Sequence, residues 1–226
     1  MGEGMYKTLL FKIFALLLAL LAQRVSAQEA FLLLGEITKK YEEAQGLCIE
    51  YTRELRTRSM SMLGGEAKGD LAKGKIYVMP PHYMRLEQKS PREELIITEG
   101  KNLWWYIPEE KKAYLYPAER FGKQMRLIGE ILSPSSEIGK KFKARLVEPA
   151  SKENWVIELI PLQPWEELDH LLVHITKTKE IVGLEMVSPL GSRTIFQFRK
   201  IEQAPYLDHG RFQFTLPEGV KLIREE

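Results

Sequence analysis

Residues 74–108 read GKIYVMPPHYMRLEQKSPREELIITEGKNLWWYIP, and their punctuation predicts three strands in a row. Pro80-Pro81 and Ser90-Pro91 interrupt the run, because proline locks its own φ and removes a backbone donor. Glu99-Gly100-Lys101 reads as a tight turn joining Leu95–Thr98 to Asn102–Ile107, since glycine tolerates positive φ. Strands joined this closely run antiparallel and build a meander. The aromatic load of Trp104, Trp105 and Tyr106 then needs a broad apolar surface beside the strands.

Outward from this block the period of the apolar residues changes twice. Phe31, Leu34, Ile37 and Tyr41 recur at three- and four-residue spacing, which predicts an amphipathic helix over 29–45 ending at Gly46. Leu47, Ile49, Tyr51 and Leu55 alternate with Cys48, Glu50, Thr52 and Glu54, the pattern of a half-buried strand. Residues 59–74, with Gly64-Gly65, Gly69 and Gly74 among charges, read as a hairpin loop. After a strand at Lys111–Tyr116, Met125, Ile128, Ile131 and Leu132 fall on one side of a helix over 119–132, which Ser133-Pro134 stops. Further strands are predicted at Phe142–Val147, Trp155–Ile160, Leu171–Thr176, Ile181–Val187 and Arg193–Arg199. Phe212 to Val220 reads as one more strand and a turn.

The N-terminus carries an address. Lys7 and Lys12 precede the uncharged apolar run Ile13–Ala22, and Val25-Ser26-Ala27 places small residues where a signal peptidase cuts. The run falls short of the ~20 apolar residues a bilayer span needs. Residues 1–27 are therefore read as a cleaved signal and 28–226 as one domain. Without Lys7, Lys12, Arg24 and Glu3, the 33 bases and 31 acids become 30 and 30. A chain with no net charge offers nothing to draw nucleic acid or an anionic membrane. The lone Cys48 has no intramolecular partner and reads as a buried structural thiol.

Two ordered sets of residues resemble the LolA family of periplasmic lipoprotein carriers. The first is glycine, apolar strand, Pro81, Met84-Arg85-Leu86, Pro91, apolar strand, Gly100-Lys101, Leu103-Trp104, Tyr106, Pro108; the second is Phe212, Phe214, Pro217, Gly219 and Val220 at the end. The resemblance spans nearly all of 28–226. It implies a mainly β (α+β) fold, an unclosed, curved antiparallel sheet or half-barrel with helices covering its concave apolar face. It implies a monomeric periplasmic chaperone that ferries lipoproteins from an inner-membrane release complex to an outer-membrane acceptor, with no cofactor. One departure matters: the family arginine that helps hold the lid shut precedes the proline matching Pro81, and here that position is Pro80. Arg85 lies nearby, but the latch does not carry over.

The physics of the cargo agrees with such a cavity. Each methylene exposed to water costs about 0.8 kcal/mol, so an acylated protein does not cross an aqueous compartment unaided. Alternation nominates Ile49, Tyr51, Met84, Leu86, Leu103, Trp105, Ile157, Leu159, Leu184, Met186, Phe196 and Phe198 as lining, under a lid of Met125, Ile128, Ile131 and Leu132. Met60 and Met62 in the adjoining loop would suit irregular ligands. Apolar residues at strand parity fill cores far more often than they line cavities, so this reading leans on the resemblance. Trp104 and Trp105 point to opposite faces, and parity alone does not say which faces the cavity.

Enzyme chemistry finds little footing. His170 and His174 are four apart, but Leu171-Leu172-Val173 between them predicts a strand, and no metal site is read there. Residues 64–69 lack the spacing and the following Lys-Ser/Thr of a phosphate-binding loop, and no nucleophile elbow is present. His82 and His209 read as solvated loop residues, Glu109 to Lys112 as a hairpin tip, and Glu166, Glu167 and Asp169 as an exposed acidic loop. Two alternatives to a lipoprotein carrier stand: a carrier of another lipid, phospholipid or glycolipid, and a sensor or scaffold that uses the same fold to bind a protein.

Overall fold

A computed structural model of the chain describes residues 14, 27–41, 44–62, 69–79, 82–118, 123–132, 138–147, 154–204 and 207–224. Of residues 1–27 only Phe14 and Ala27 are among them, and Gly64-Gly65, Pro80-Pro81 and Ser133-Pro134 lie outside. No helix among the described residues is long and apolar enough to cross a membrane.

Twelve strands form one sheet. In chain order they are β1 (Gly46–Arg56), β2 (Asp70–Met79), β3 (Tyr83–Ser90), β4 (Glu94–Thr98), β5 (Asn102–Ile107), β6 (Lys112–Pro117), β7 (Phe142–Val147), β8 (Asn154–Pro161), β9 (His170–Thr176), β10 (Ile181–Val187), β11 (Arg193–Ala204) and β12 (Lys221–Arg224). Their spatial order is β12-β6-β5-β4-β3-β2-β1-β11-β10-β9-β8-β7. Two antiparallel meanders, β1–β6 and β7–β11, are thus welded by the β1–β11 pair. β12 adds in parallel to β6. The sheet does not close, because β12 and β7 are its two edges. This is the open half-barrel that the family resemblance implied.

The block at 74–108 holds four strands rather than three, because both proline breaks and the Gly100 turn each separate a paired segment. Gly100 has φ +101°, as that turn requires. β2 starts at Asp70 and a short helix α2 occupies Arg58–Met62, so the loop expected over 59–74 is shorter at both ends. Met60 is therefore helical.

Helix α1 runs over 27–39, six residues short of the predicted end. Backbone bonds Lys40 N to Ile37 O and Tyr41 N to Thr38 O tighten its last turn into the i→i−3 pattern common at helix ends. Lys40 Nζ donates to Thr178 O at 2.9 Å and Lys179 pairs with Glu36 at 2.6 Å, which fastens this end to the β9–β10 turn. Helix α3 spans Lys123–Ile131 and helix α4 Ile138–Lys141; the Lys141–Glu130 ion pair, 2.8 Å, joins them.

The C-terminal segment departs most from expectation. Phe212–Leu216 is not a strand. His209–Phe212 is a 3-10 turn capped by Asp208, whose carboxylate accepts from Gly210 N, and the strand comes only at Lys221. Phe212 is buried with Met79, Ile97 and Leu207 in a second core. Phe214 lies 5.0 Å from the Trp104 ring and 5.5 Å from Tyr106. Aromatic residues at alternate positions look like a strand, but here they pack onto one.

Candidate functional site

Directly opposed strand residues share a face, so the register sorts the side chains. From Ile49 the pairs run to Ile76 and Leu86 in one direction, then to Ile96 and Trp105. From Tyr51 they run to Phe198, while Phe196 faces Leu184, which faces Val173 and Ile157. Met84 joins through Thr98 to Leu103, and Met186 through Leu171 to Leu159. All twelve nominated lining residues therefore lie on one face of the sheet. Eleven are buried, and Trp105 is half-buried.

The same face carries the helices. Leu33, Leu34, Ile37 and Tyr41 of the first helical segment and Leu127, Ile128, Ile131 and Leu132 of the α3 segment are buried in one cluster with ten of those strand residues, all but Leu103 and Trp105. A Cβ on Gly129 would come within 3.3 Å of Val78 Cγ1, which seats α3 directly on β2. Of the four lid candidates, Ile128, Ile131 and Leu132 are buried against the sheet; the Met125 side chain lies outside what is described. Sequence reasoning missed Leu127 and the whole buried stripe of α1 as part of the cover. The three- and four-residue spacing that marked 29–45 as amphipathic was the signal for the latter.

The covered face is closed and packed. A cleft of about 120 Å³ remains between α1, α3 and α4, bounded by Phe31, Leu34, Thr38, Ile131 and Ile138, room for about four waters at liquid density. An open groove of about 540 Å³ flanks it at the sheet edge, between Phe31, Phe142, Ile160 and Leu162.

The register also resolves the tryptophan pair. Trp105 is on the helix-bearing face and stacks on Tyr114 at 5.2 Å, which in turn stacks on Tyr116. Its indole N–H donates to Glu94 at 2.9 Å. Trp104 is on the other face, under Phe214. Arg85 is there too: it pairs with Glu87 at 2.6 Å and donates to Arg211 O at 2.9 Å. It fastens the C-terminal segment and is not placed to latch α3. Cys48 is half-buried rather than buried, on that same outer face; burial pushes its thiol pKa up.

Buried polar groups lie at both ends of the covered face, Thr98 between Met84 and Leu103 and, at the other end, Tyr51 and Gln88. Tyr51 is 2 % exposed, and burial pushes its hydroxyl pKa up to about 12, with the Arg53 charge opposing and the Glu94 charge adding. Gln88 is 4 % exposed and donates through its amide nitrogen to Arg92 O. On the outer face of the second meander, Glu185 receives Arg193 at 2.7 Å and lies 3.9 Å from His174. Burial lowers the His174 pKa, against the pull of Glu185. His170 pairs with Asp169 at 2.7 Å. His209 is exposed, as expected of a solvated residue, and packs edge-on against Tyr83 at 5.1 Å. Among the described residues no group of three or more His, Cys, Asp or Glu side chains is arranged to hold a metal.

Known proteins place this geometry. The family model "Outer membrane lipoprotein carrier protein LolA" matches residues 62–215. The outer-membrane lipoprotein carrier protein of Alkalilimnicola ehrlichii is 24% identical over 211 residues, covering 92% of this chain and 91% of that one. That of Aliivibrio salmonicida is 23% identical over 193 residues, covering 83% and 88%. An uncharacterised conserved protein from Thermus thermophilus superposes with a TM-score of 0.51 at 11% identity, covering 88% of this chain and 99% of that one, a likeness of fold alone. With a family model matched across most of its length, on an open sheet whose apolar face is roofed by helices, the chain belongs to the LolA family of outer membrane lipoprotein carrier proteins.

Proposed function

We propose that the protein is a periplasmic carrier that takes up the acyl chains of lipoproteins on the covered face of its sheet and conveys them toward the outer membrane. The observation that carries this is the continuity of that face. Residues from both meanders, Met84 and Leu86 at one side and Leu159 and Ala144 at the other, belong to one buried apolar cluster spanning eight strands, with an amphipathic helix as its roof. Acyl chains need that kind of surface, broad and poor in directed hydrogen bonds, because their binding energy scales with the area removed from water.

Loading requires α3 to lift, since Ile128 and Ile131 now occupy the space above the strands. A short amphipathic helix suits the task. Its apolar face is stabilised by burial and not by helix propensity, so acyl chains can substitute for it. The carrier works as a monomer with no cofactor, and its release and acceptor partners are membrane complexes at either side.

Mass spectrometry of the protein purified from a native periplasm tests the reading. The expected result is a copurified lipoprotein on a chain that begins at Gln28. Copurified phospholipid or glycolipid alone would make it a carrier of another lipid. An unliganded protein in complex with a protein partner would make it a sensor or scaffold.

A further inference from the structure

Three buried side-chain atoms among the described residues have no hydrogen-bond partner: Tyr51 Oη, Arg53 Nε and Gln88 Oε1. They are neighbours. Tyr51 and Arg53 are two apart on β1 and so share a face. Tyr51 opposes Gly74, and Gly74 opposes Gln88, so the tyrosine and the glutamine flank a position without a side chain. That position must stay bare: a Cβ on Gly74 would come within 1.9 Å of Glu87 O. The ladder slips by one residue on both sides of this row, at Glu50/Tyr51 and at Lys73/Gly74. Bulges of this kind re-aim side chains and gather at binding sites.

An unsatisfied polar atom in an apolar interior is costly. Three in one place, where the other buried side-chain polar atoms among the described residues have partners, call for a ligand that supplies the partners. Their chemistry is mixed. The Arg53 Nε–H only donates, and the Tyr51 hydroxyl donates or accepts. Gln88 spends its amide nitrogen on Arg92 O, an acceptor, which leaves its oxygen seeking an N–H or O–H. The cluster lies along the strands from the lid. Val78–Met84 sit under α3, then come Ile76–Leu86, then Gly74–Gln88, placing Gln88 about 13 Å from Met84 at 3.3 Å per residue.

Resting on the carrier reading above, we propose that Tyr51, Arg53 and Gln88 form a polar subsite for the junction of an acylated peptide, where acyl carbonyls meet an amide N–H. Tyr51 and Arg53 donate to the carbonyls, and Gln88 accepts from the amide. The acyl chains then run from this junction toward α3, and the peptide leaves past the Arg53 end of β1. The subsite discriminates by its acceptor. A diacyl phosphatidylcholine offers carbonyls to Tyr51 and Arg53 but has no N–H or O–H for Gln88.

The test titrates the full-length secreted protein with two probes, a tripalmitoylated cysteinyl peptide and dipalmitoyl phosphatidylcholine, and records melting curves alongside. Gln88→Met is expected to lose about tenfold in affinity for the lipopeptide, the equivalent of one hydrogen bond at 1.4 kcal/mol per decade, with phosphatidylcholine binding unmoved. Tyr51→Phe is expected to weaken both probes without lowering the melting temperature, because in the empty protein it deletes only an orphaned hydroxyl. Equal weakening of both probes by Gln88→Met overturns the proposal. So does a lowered melting temperature for Tyr51→Phe, since the hydroxyl would then have a partner within the protein. If wild type binds neither probe, the carrier reading fails first; if wild type binds both and the variants match it, the subsite alone is refuted.

Discussion

Gly74 shows how much a single residue can decide in a sheet. It stands at the slip between β2 and β3, opposite the Tyr51 position where β1 slips against β11, and its missing Cβ admits the Glu87 carbonyl at a distance no side chain tolerates. Gly74→Ala forces backbone apart in a central strand, where overpacking costs about 1–3 kcal/mol. A fall in melting temperature of roughly 5–10 °C is expected, by analogy with shifts for domains of this size, and an unchanged transition would show that the ladder relaxes. His174 makes a second residue-scale prediction. Its folded pKa lies below the ordinary 6.5, so between the two values the unfolded chain binds a proton that the folded one refuses. Stability from this site is therefore present above pH 6.5 and lost as pH falls below it. Melting temperature should drop between pH 7 and 5, and His174→Gln should flatten that part of the profile. Glu185, itself held by Arg193, lies 3.9 Å from the same ring; a variant that leaves the slope unchanged would remove His174 as its source.

At the scale of elements, strands were legible wherever one side of the sheet is apolar and the other is not. Parity at Ile49, Leu86, Leu159 and Phe196 predicted the covered face because two-residue alternation survives any later detail of packing. What parity does not contain is pairing across the sheet. The slip at Gly74 and the choice between Trp104 and Trp105 depend on partners distant in sequence. The C-terminal Phe212 and Phe214 misled for a physical reason: alternation marks burial on one side, and a segment laid across a sheet achieves that as well as a strand within it. Phe212→Ala should cost about 3–5 kcal/mol, as for other buried aromatic truncations, read as a large loss of melting temperature. The same change in the partly exposed Phe214 should cost visibly less. The α3 helix tests differently. Ile128→Glu or Ile131→Glu puts a carboxylate against the apolar face, and an unpaired buried charge is too costly to retain. The helix should swing out, abolishing lipoprotein transfer while the sheet still melts cooperatively, since a lid carries less of the global stability than central strands do. Transfer at wild-type level in a folded variant would remove α3 as the lid. Loss of fold in step with transfer would make it ordinary core.

For the whole molecule, the two faces of one sheet are built for opposite environments. On the second meander, residues one position out of phase with the apolar set form a polar exterior: Arg145 pairs with Glu158 and Arg193 with Glu185. No helix among the described residues covers them. The first meander spends its outer face on the C-terminal segment, held by Arg85, Trp104 and Tyr83. The helix-bearing side thus carries one buried apolar cluster that runs from β3 to β7. This one-sidedness gives a spatial prediction in which neighbouring residues must disagree. A photocrosslinking side chain at Leu103, Leu159 or Met186 should capture acyl chains, although Leu103 lies on a strand far from the other two in the sheet order. At Leu172 it should not, although Leu172 adjoins Leu171, the partner of both Leu159 and Met186, because successive strand residues point to opposite faces. Glu110, at the exposed tip between β5 and β6, serves as a second outer control. Ligands that merely coat the surface would label Leu172 and Glu110 as readily as the rest. An enclosed acyl site labels by parity, and capture at Leu172 equal to that at Leu159 would mean the cargo does not lie between sheet and helices.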